Sequence, residues 1–161
     1  MRALEQIIAD YGPALGRVAA SYEADPMLRE DLTQEIFLAI HRALPSLANP
    51  DSLAPFVFRI AHNRGVTHVA RQVGARRIAE QAELDDAPPA TPEQLLLNDE
   101  RVSRVTVAVR RLPLPYRQVM TLLLEELSYA EIAEALDISL SNVGVRVNRA
   151  KAQLKAMLDD E

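Results

Sequence analysis

Ser128-Tyr129-Ala130-Glu131-Ile132-Ala133-Glu134-Ala135-Leu136-Asp137-Ile138-Ser139-Leu140-Ser141-Asn142-Val143 reads as a short helix, a tight turn and the start of a second helix. Ser128 and Glu131 have the spacing of a capping box, in which the hydroxyl accepts from the amide three residues on and the carboxylate reaches back to the Ser128 amide. The helix so started places Ile132, Ala133 and Leu136 on one face. Asp137-Ile138-Ser139 supplies the turn: Asp tolerates the left-handed conformation, Ile138 plugs the core, and Ser139 caps the second helix. In that second helix Val143, Val147, Ala150 and Leu154 share the inner face, which leaves Asn142, Val145, Arg146, Asn148 and Arg149 on or near the outer one. A small Ala133 at the crossing, a three-residue turn and a polar, basic second helix are what a helix-turn-helix needs to enter the major groove. There, Arg and Asn can make paired hydrogen bonds to guanine and adenine edges. An antiparallel helix pair in an unrelated bundle would show the same pattern, so the rest of the chain has to decide.

Working outward, the whole chain predicts an all-α fold. Of its 161 residues, 48% are apolar, with only five glycines and no strictly alternating Val, Ile and Thr runs. A first helix is expected over about residues 3–23, interrupted or bent near Gly12-Pro13. A second starts with Asp25 as N-cap and Pro26 at its first position, carries Leu28, Leu32, Ile36, Phe37 and Ile40 as a buried stripe, and stops near Leu44-Pro45. After a short loop, Asp51 or Ser52 can cap a third helix that tolerates Pro55 in its first turn and runs to about residue 78. The prolines Pro88, Pro89 and Pro92 then exclude helix and mark a linker. Beyond it a helix is expected over about 93–112, ended by Pro113, with another opened by Pro115. The predicted division is a first helical domain at 1–79, an acidic linker at 80–92 and a second helical domain at 93–161.

Charge is segregated along this plan. Residues 52–79 contain no Asp or Glu and five arginines; residues 80–100 contain seven acids and no Lys or Arg; residues 138–158 are again free of acids and carry Arg146, Arg149, Lys151 and Lys155. Any one block is compatible with a solvated helix face. Two acid-free blocks on separate helices point to an anionic polymer as partner, despite the net charge of −5.

Several function classes fall away. The chain has no cysteine, hence no disulfide framework or thiolate metal site. His62 and His68 are six apart, not at the i, i+4 spacing that puts two imidazoles on one metal, and are expected at the surface or on phosphate. No Gly-rich phosphate loop, nucleophile elbow or paired carboxylates stand out, so an enzyme is the weakest reading and no cofactor or metal is expected. No apolar run is long enough to span a bilayer and the N-terminal residues lack a signal-like apolar region, so a cytoplasmic protein without membrane insertion is expected.

Two sets of residues resemble a known family, the bacterial sigma factors of the extracytoplasmic-function (ECF) type. Arg111-Leu112-Pro113, Arg117-Gln118-Val119 and residues 127–133, with Ile138-Ser139, Val143, Arg146 and Asn148-Arg149-Ala150, resemble region 4 of that family. Asp31-Leu32-Thr33-Gln34-Glu35-Ile36-Phe37-Leu38 and Phe58-Arg59-Ile60-Ala61-His62-Asn63 resemble region 2. The resemblance implies a promoter-specificity subunit of RNA polymerase core, with promoter DNA and an anti-sigma factor as further partners. Polymerase docking would fall on Asp31, Gln34, Glu35 and Phe37, the three polar ones at i, i+3, i+4 on one face. Recognition of the −10 element would fall on Asn49, reading a base flipped out of the stack, and on Arg59, Asn63, Arg64, His68 and Arg71. The −35 element would be read by Ser141, Asn142, Val145, Arg146, Asn148 and Arg149. The acidic linker would thread the polymerase channel that later carries RNA.

The chain departs from the family at Phe56, where Trp is frequent, and at Gly144 and Val145, where Lys or Arg followed by Ser is usual. A sigma mimic that binds an anti-sigma factor without promoter recognition would show such erosion, but would not retain both the docking acids and the basic third helix. A stand-alone repressor would not need the docking motif.

Overall fold

A computed structural model describes residues 4–82 and 104–159, with side chains over 4–74 and 104–159. Its described residues form seven α-helices and no strand: α1 (Leu4–Tyr22), α2 (Pro26–Ala43), α3 (Leu53–Ala82), α4 (Arg104–Arg110), α5 (Leu114–Leu124), α6 (Tyr129–Leu136) and α7 (Leu140–Asp159). The expected proline-containing linker and the start of the helix expected at 93–112 lie outside the described residues.

α1 runs unbroken through Pro13, where an interruption or a bend was expected. Pro13 and Ala9, the residue whose carbonyl loses its helical donor, both lie on the exposed side, so water can satisfy that carbonyl. Asp25 caps α2 as expected, its carboxylate accepting from the amides of Met27 and Leu28, with Pro26 at the first position. Leu44–Ser46 then forms a single 3-10 turn. Asn49, rather than Asp51 or Ser52, is the capping side chain of the next segment: its Oδ1 accepts from the Asp51 amide at 3.0 Å, starting a 3-10 turn that leads into α3. α3 continues to Ala82, a turn beyond the expected end and into the segment read as linker.

The first three helices pack on one another around Ile7, Leu15, Val18, Leu32, Ile36, Ile40, Val57 and Ala61, all essentially inaccessible to solvent. α4 to α7 close a second core around Val109, Leu112, Val119, Leu122, Ile132, Val143, Val147 and Ala150. Each of these residues removes an apolar side chain from water, at about 1.5–3 kcal/mol for the larger ones.

The two cores also touch. α3 packs along α6, and α1 along α4 and α5. Arg17 of α1 meets both carboxylate oxygens of Glu125, just past α5, at 2.5 and 2.8 Å. Arg110 of α4 donates to the Ala20 carbonyl at 2.5 Å. Arg59 of α3 donates to the carbonyls of Ala135, at 3.1 Å, and Glu134, at the end of α6. Tyr22 is wedged between the cores. Its hydroxyl lies 2.6 Å from Nδ1 of His62, Gln118 bonds to it from α5, and the Arg117 guanidinium sits 5.6 Å from the ring centre.

His62 is fully buried, and among the described residues its Nε2 has no partner. Burial holds it neutral, with its pKa lowered to about 3, and burial likewise raises that of Tyr22, the Gln118 bond and Arg117 opposing. Neutral His62 and the Tyr22 hydroxyl share one hydrogen bond through Nδ1, its direction set by the imidazole tautomer.

Candidate nucleic-acid interface

Local sequence builds the helix-turn-helix. Ser128 Oγ accepts from the Glu131 amide at 3.1 Å while Glu131 Oε1 accepts from the Ser128 amide at 2.9 Å, which fixes where α6 begins. α6 ends at Asp137, whose φ of 54° and ψ of 51° are left-handed, so that the Ile138 amide turns back to the Ala133 carbonyl at 3.1 Å. Ser139 then caps α7 through the Asn142 amide, at 3.1 Å. Ile138 packs against the core edge. The one shift lies inside α6: Ala135 is buried, whereas Ala133 and Leu136 are half-buried. α3 covers the Ala135 side of the helix, a tertiary contact that no periodicity within α6 can reveal.

α7 turns its polar side outward. Ser141, Asn142, Val145, Asn148 and Arg149 are exposed and Arg146 is half-buried at the margin, while Val143, Val147, Ala150 and Leu154 point inward. Lys151 and Lys155 continue the exposed surface.

The first module offers two more surfaces. On α2, Asp31, Gln34 and Glu35 are exposed, as expected. Phe37, expected both in the buried stripe and in the docking set, is half-buried against the core and lies near Gly12 of α1. The accessible apolar residue of that face is Leu38, 48% exposed, at i+7 from Asp31; Met27, at i−4, is 79% exposed. Sequence reading left both out of the buried stripe and out of the docking set, although Leu38 continues the 31, 34, 35 spacing.

On α3, Asn63, Arg64 and Arg71 are exposed. Asn63 and Arg64, with Ile60 and Thr67, line one wall of an open groove of about 370 Å³ whose other wall is Ala39 and Ala43 of α2. Arg71 approaches Glu35 at 3.4 Å. Asn49 is exposed, and its amide donors have no protein partner among the described residues. Two expected positions differ. His68 is buried and pairs with Glu23 at 2.8 Å, and His62 is interior, so neither imidazole lies at the surface; both fall on the α3 side that faces α1. Arg59, though exposed at its edge, has its guanidinium on the α6 carbonyls. Among the described residues no cluster of three His, Cys, Asp or Glu could hold a metal ion, and no helix is long and apolar enough to cross a membrane.

Comparison with known proteins matches this arrangement part by part. Residues 7–74 match the family model described as Sigma-70 region 2, and residues 103–154 that described as Sigma-70, region 4. RNA polymerase sigma factor NccH of Alcaligenes xylosoxydans xylosoxydans is 31% identical, over 97% of this chain and 87% of its own length. The chain belongs to the sigma-70 family, in its ECF group. The ECF RNA polymerase sigma-E factor of Escherichia coli is 30% identical over 75% of this chain and 69% of its own. Among solved structures, that of CnrH in complex with the cytosolic domain of CnrY superposes with a TM-score of 0.72 at 26% identity, covering 98% of this chain and 88% of that one. RpoE in complex with the anti-sigma factor NepR from Bartonella quintana shares the fold, with a TM-score of 0.74 at 20% identity and 96% of each chain covered. This ECF sigma factor thus directs promoter recognition and transcription initiation, and sigma factors as a class are non-enzymatic initiation factors.

Proposed function

We propose that this ECF sigma factor divides its work among three surfaces. The exposed row of α7 (Ser141, Asn142, Val145, Asn148 and Arg149, with Arg146 at its edge) reads the −35 element. Asn49 and the α3 residues Asn63, Arg64 and Arg71 hold the −10 region, joined by Arg59 once it leaves α6. Asp31, Gln34, Glu35 and Leu38 on α2 dock on RNA polymerase core, with Phe37 holding α2 in place from beneath. The observation that carries the reading is the outward polar and basic face of α7 in a protein of net charge −5. Such a face supplies phosphate contacts and base-edge donors together.

The functional division follows the sequence boundaries: 1–79 for docking and the −10 element, 80–92 as a linker, and 93–161 for the −35 element. Polymerase supplies all of the chemistry, and the chain itself has no enzymatic activity. An anti-sigma factor is a further partner, as it is for the RpoE neighbour. The site of action is the cytoplasm, where core polymerase and promoter DNA are found.

In vitro transcription with core polymerase on a genomic library, with start-site mapping, tests the reading. Specific starts are expected, weakened by Arg149→Ala through the −35 element and by Asn49→Ala through the −10 element. Initiation no better than core alone would overturn it.

A further inference from the structure

The promoter-reading helix carries an apolar side chain where a groove-facing helix ordinarily offers donors. Ser141, Val145 and Asn148 lie at i, i+4 and i+7, one straight row down the exposed side of α7, and Val145 is its centre. Val145 is 43% exposed. It packs into neither core, and the buried valines of α7 are its neighbours Val143 and Val147. Gly144 stands beside it with nothing within 4 Å of where a Cβ would be, so space alone does not call for glycine. Helix stability does not explain the pair either, since Gly and Val both weaken a helix relative to Ala, Lys or Arg.

The major groove explains it. The one apolar group that base pairs present there is the C5-methyl of thymine. An unobstructed Val145, with no side chain at 144 to hold the helix off, matches that methyl in chemistry. Its flanking partners match the same base pairs, because the amides of Asn142 and Asn148 fit the N6 and N7 edge of adenine. The surrounding charge is complementary to DNA: Arg149, Lys151 and Lys155 are exposed and residues 138–158 contain no acid.

We propose that Val145 is a specificity determinant that reads the methyl group of one thymine in the −35 element, flanked by A·T pairs that the asparagines recognise. This rests on the reading of α7 as the −35 helix.

Replacement of thymine by deoxyuridine removes that methyl and nothing else. Holoenzyme binding is measured on a promoter from the start-site map, with each −35 thymine of either strand replaced singly by deoxyuridine. At one position a loss of about fourfold is expected, the weight of one buried methyl. Val145→Ala holoenzyme, which keeps the helix, is expected to bind the thymine and deoxyuridine promoters equally. Unchanged binding at every replaced position, the same sensitivity in Val145→Ala, or a −35 element without thymine each overturns the inference and leaves the promoter role intact. Equal binding to native and scrambled −35 sequences would overturn the promoter role itself, and this inference with it.

Discussion

Arg59 Nε donates to the carbonyl oxygen of Ala135 across 3.1 Å, so a guanidinium on the longest helix of the first module closes the last turn of the first helix-turn-helix helix in the second. The carbonyls at that end have no intrahelical donor, and a cation there also meets the favourable end of the helix dipole. The same arginine belongs to the surface assigned to the −10 region. It can serve only one of the two at a time.

One contact between the modules is an ion pair open to solvent on one side, with Arg17 64% exposed and Glu125 7%. Raised ionic strength is therefore expected to loosen it, since salt screens exposed pairs. Small-angle scattering of the free chain should show the radius of gyration increasing with salt, and Arg17→Glu should give the expanded value already at low salt. A salt-independent radius, equal in both proteins, would contradict this.

Gly65 leaves room for the Tyr22 ring. A Cβ at that position would stand 2.5–2.7 Å from three ring atoms. Gly65→Ala is expected to destabilise by about 1–3 kcal/mol, the usual cost of overpacking, seen as a lower Tm. Gly74→Ala, with nothing within 4 Å, serves as the control in the same helix and should not lower it.

His62 makes stability depend on pH. It stays neutral in the fold down to a pKa of about 3, whereas in the unfolded chain it takes up a proton near pH 6.5. Between those values the unfolded state binds more protons, so stability rises with pH through that window, is complete above it and is lost on acidification. From pH 7 to pH 5 the loss from this residue is about 2 kcal/mol. His62→Gln should unfold with a flatter pH profile in urea titrations between pH 5 and 7, whatever its absolute stability.

Leu38→Asp should weaken binding to core polymerase at least tenfold in a competition assay while leaving the melting temperature near that of the parent, because the side chain is half exposed and outside the core. Phe37→Ala should instead lower the melting temperature, as expected for a ring packed on the core.

Gly144→Lys adds a cation where there is open space. For holoenzyme binding to promoter DNA, the dependence of log affinity on log salt should steepen by about one unit, the signature of one further neutralised phosphate. An unchanged slope would place residue 144 away from the backbone.

The sequence was most informative where short-range chemistry fixes the chain. Ser128 with Glu131, Asp137 in the left-handed region, Ser139 over α7 and Asp25 with Pro26 all stand where spacing alone put them. The errors share a cause, contact with another helix. His62 and His68 turn inward because Tyr22 and Glu23 meet them, and the guanidinium of Arg59, a residue that stays exposed, is turned onto the carbonyls of α6 beside it. Periodicity tells which residues of one helix share a face. It is silent on which of two polar faces a second helix will cover, and polar residues placed by tertiary pairing were accordingly misassigned.

The bond from Arg59 to α6 also sets a limit on reach. The centres of the two promoter elements, at −35 and −10, are roughly 25 base pairs apart, about 85 Å along a duplex at 3.4 Å per pair. A folded chain of this length, with its halves in contact, is about 40 Å across. Such a body can touch one element or the other, and polymerase must part the halves before both can be read. The bonds across the seam (Arg17, Arg59, Arg110 and the polar wedge at Tyr22) resemble a clasp more than a weld, and prising it open is work that docking on the enzyme can supply.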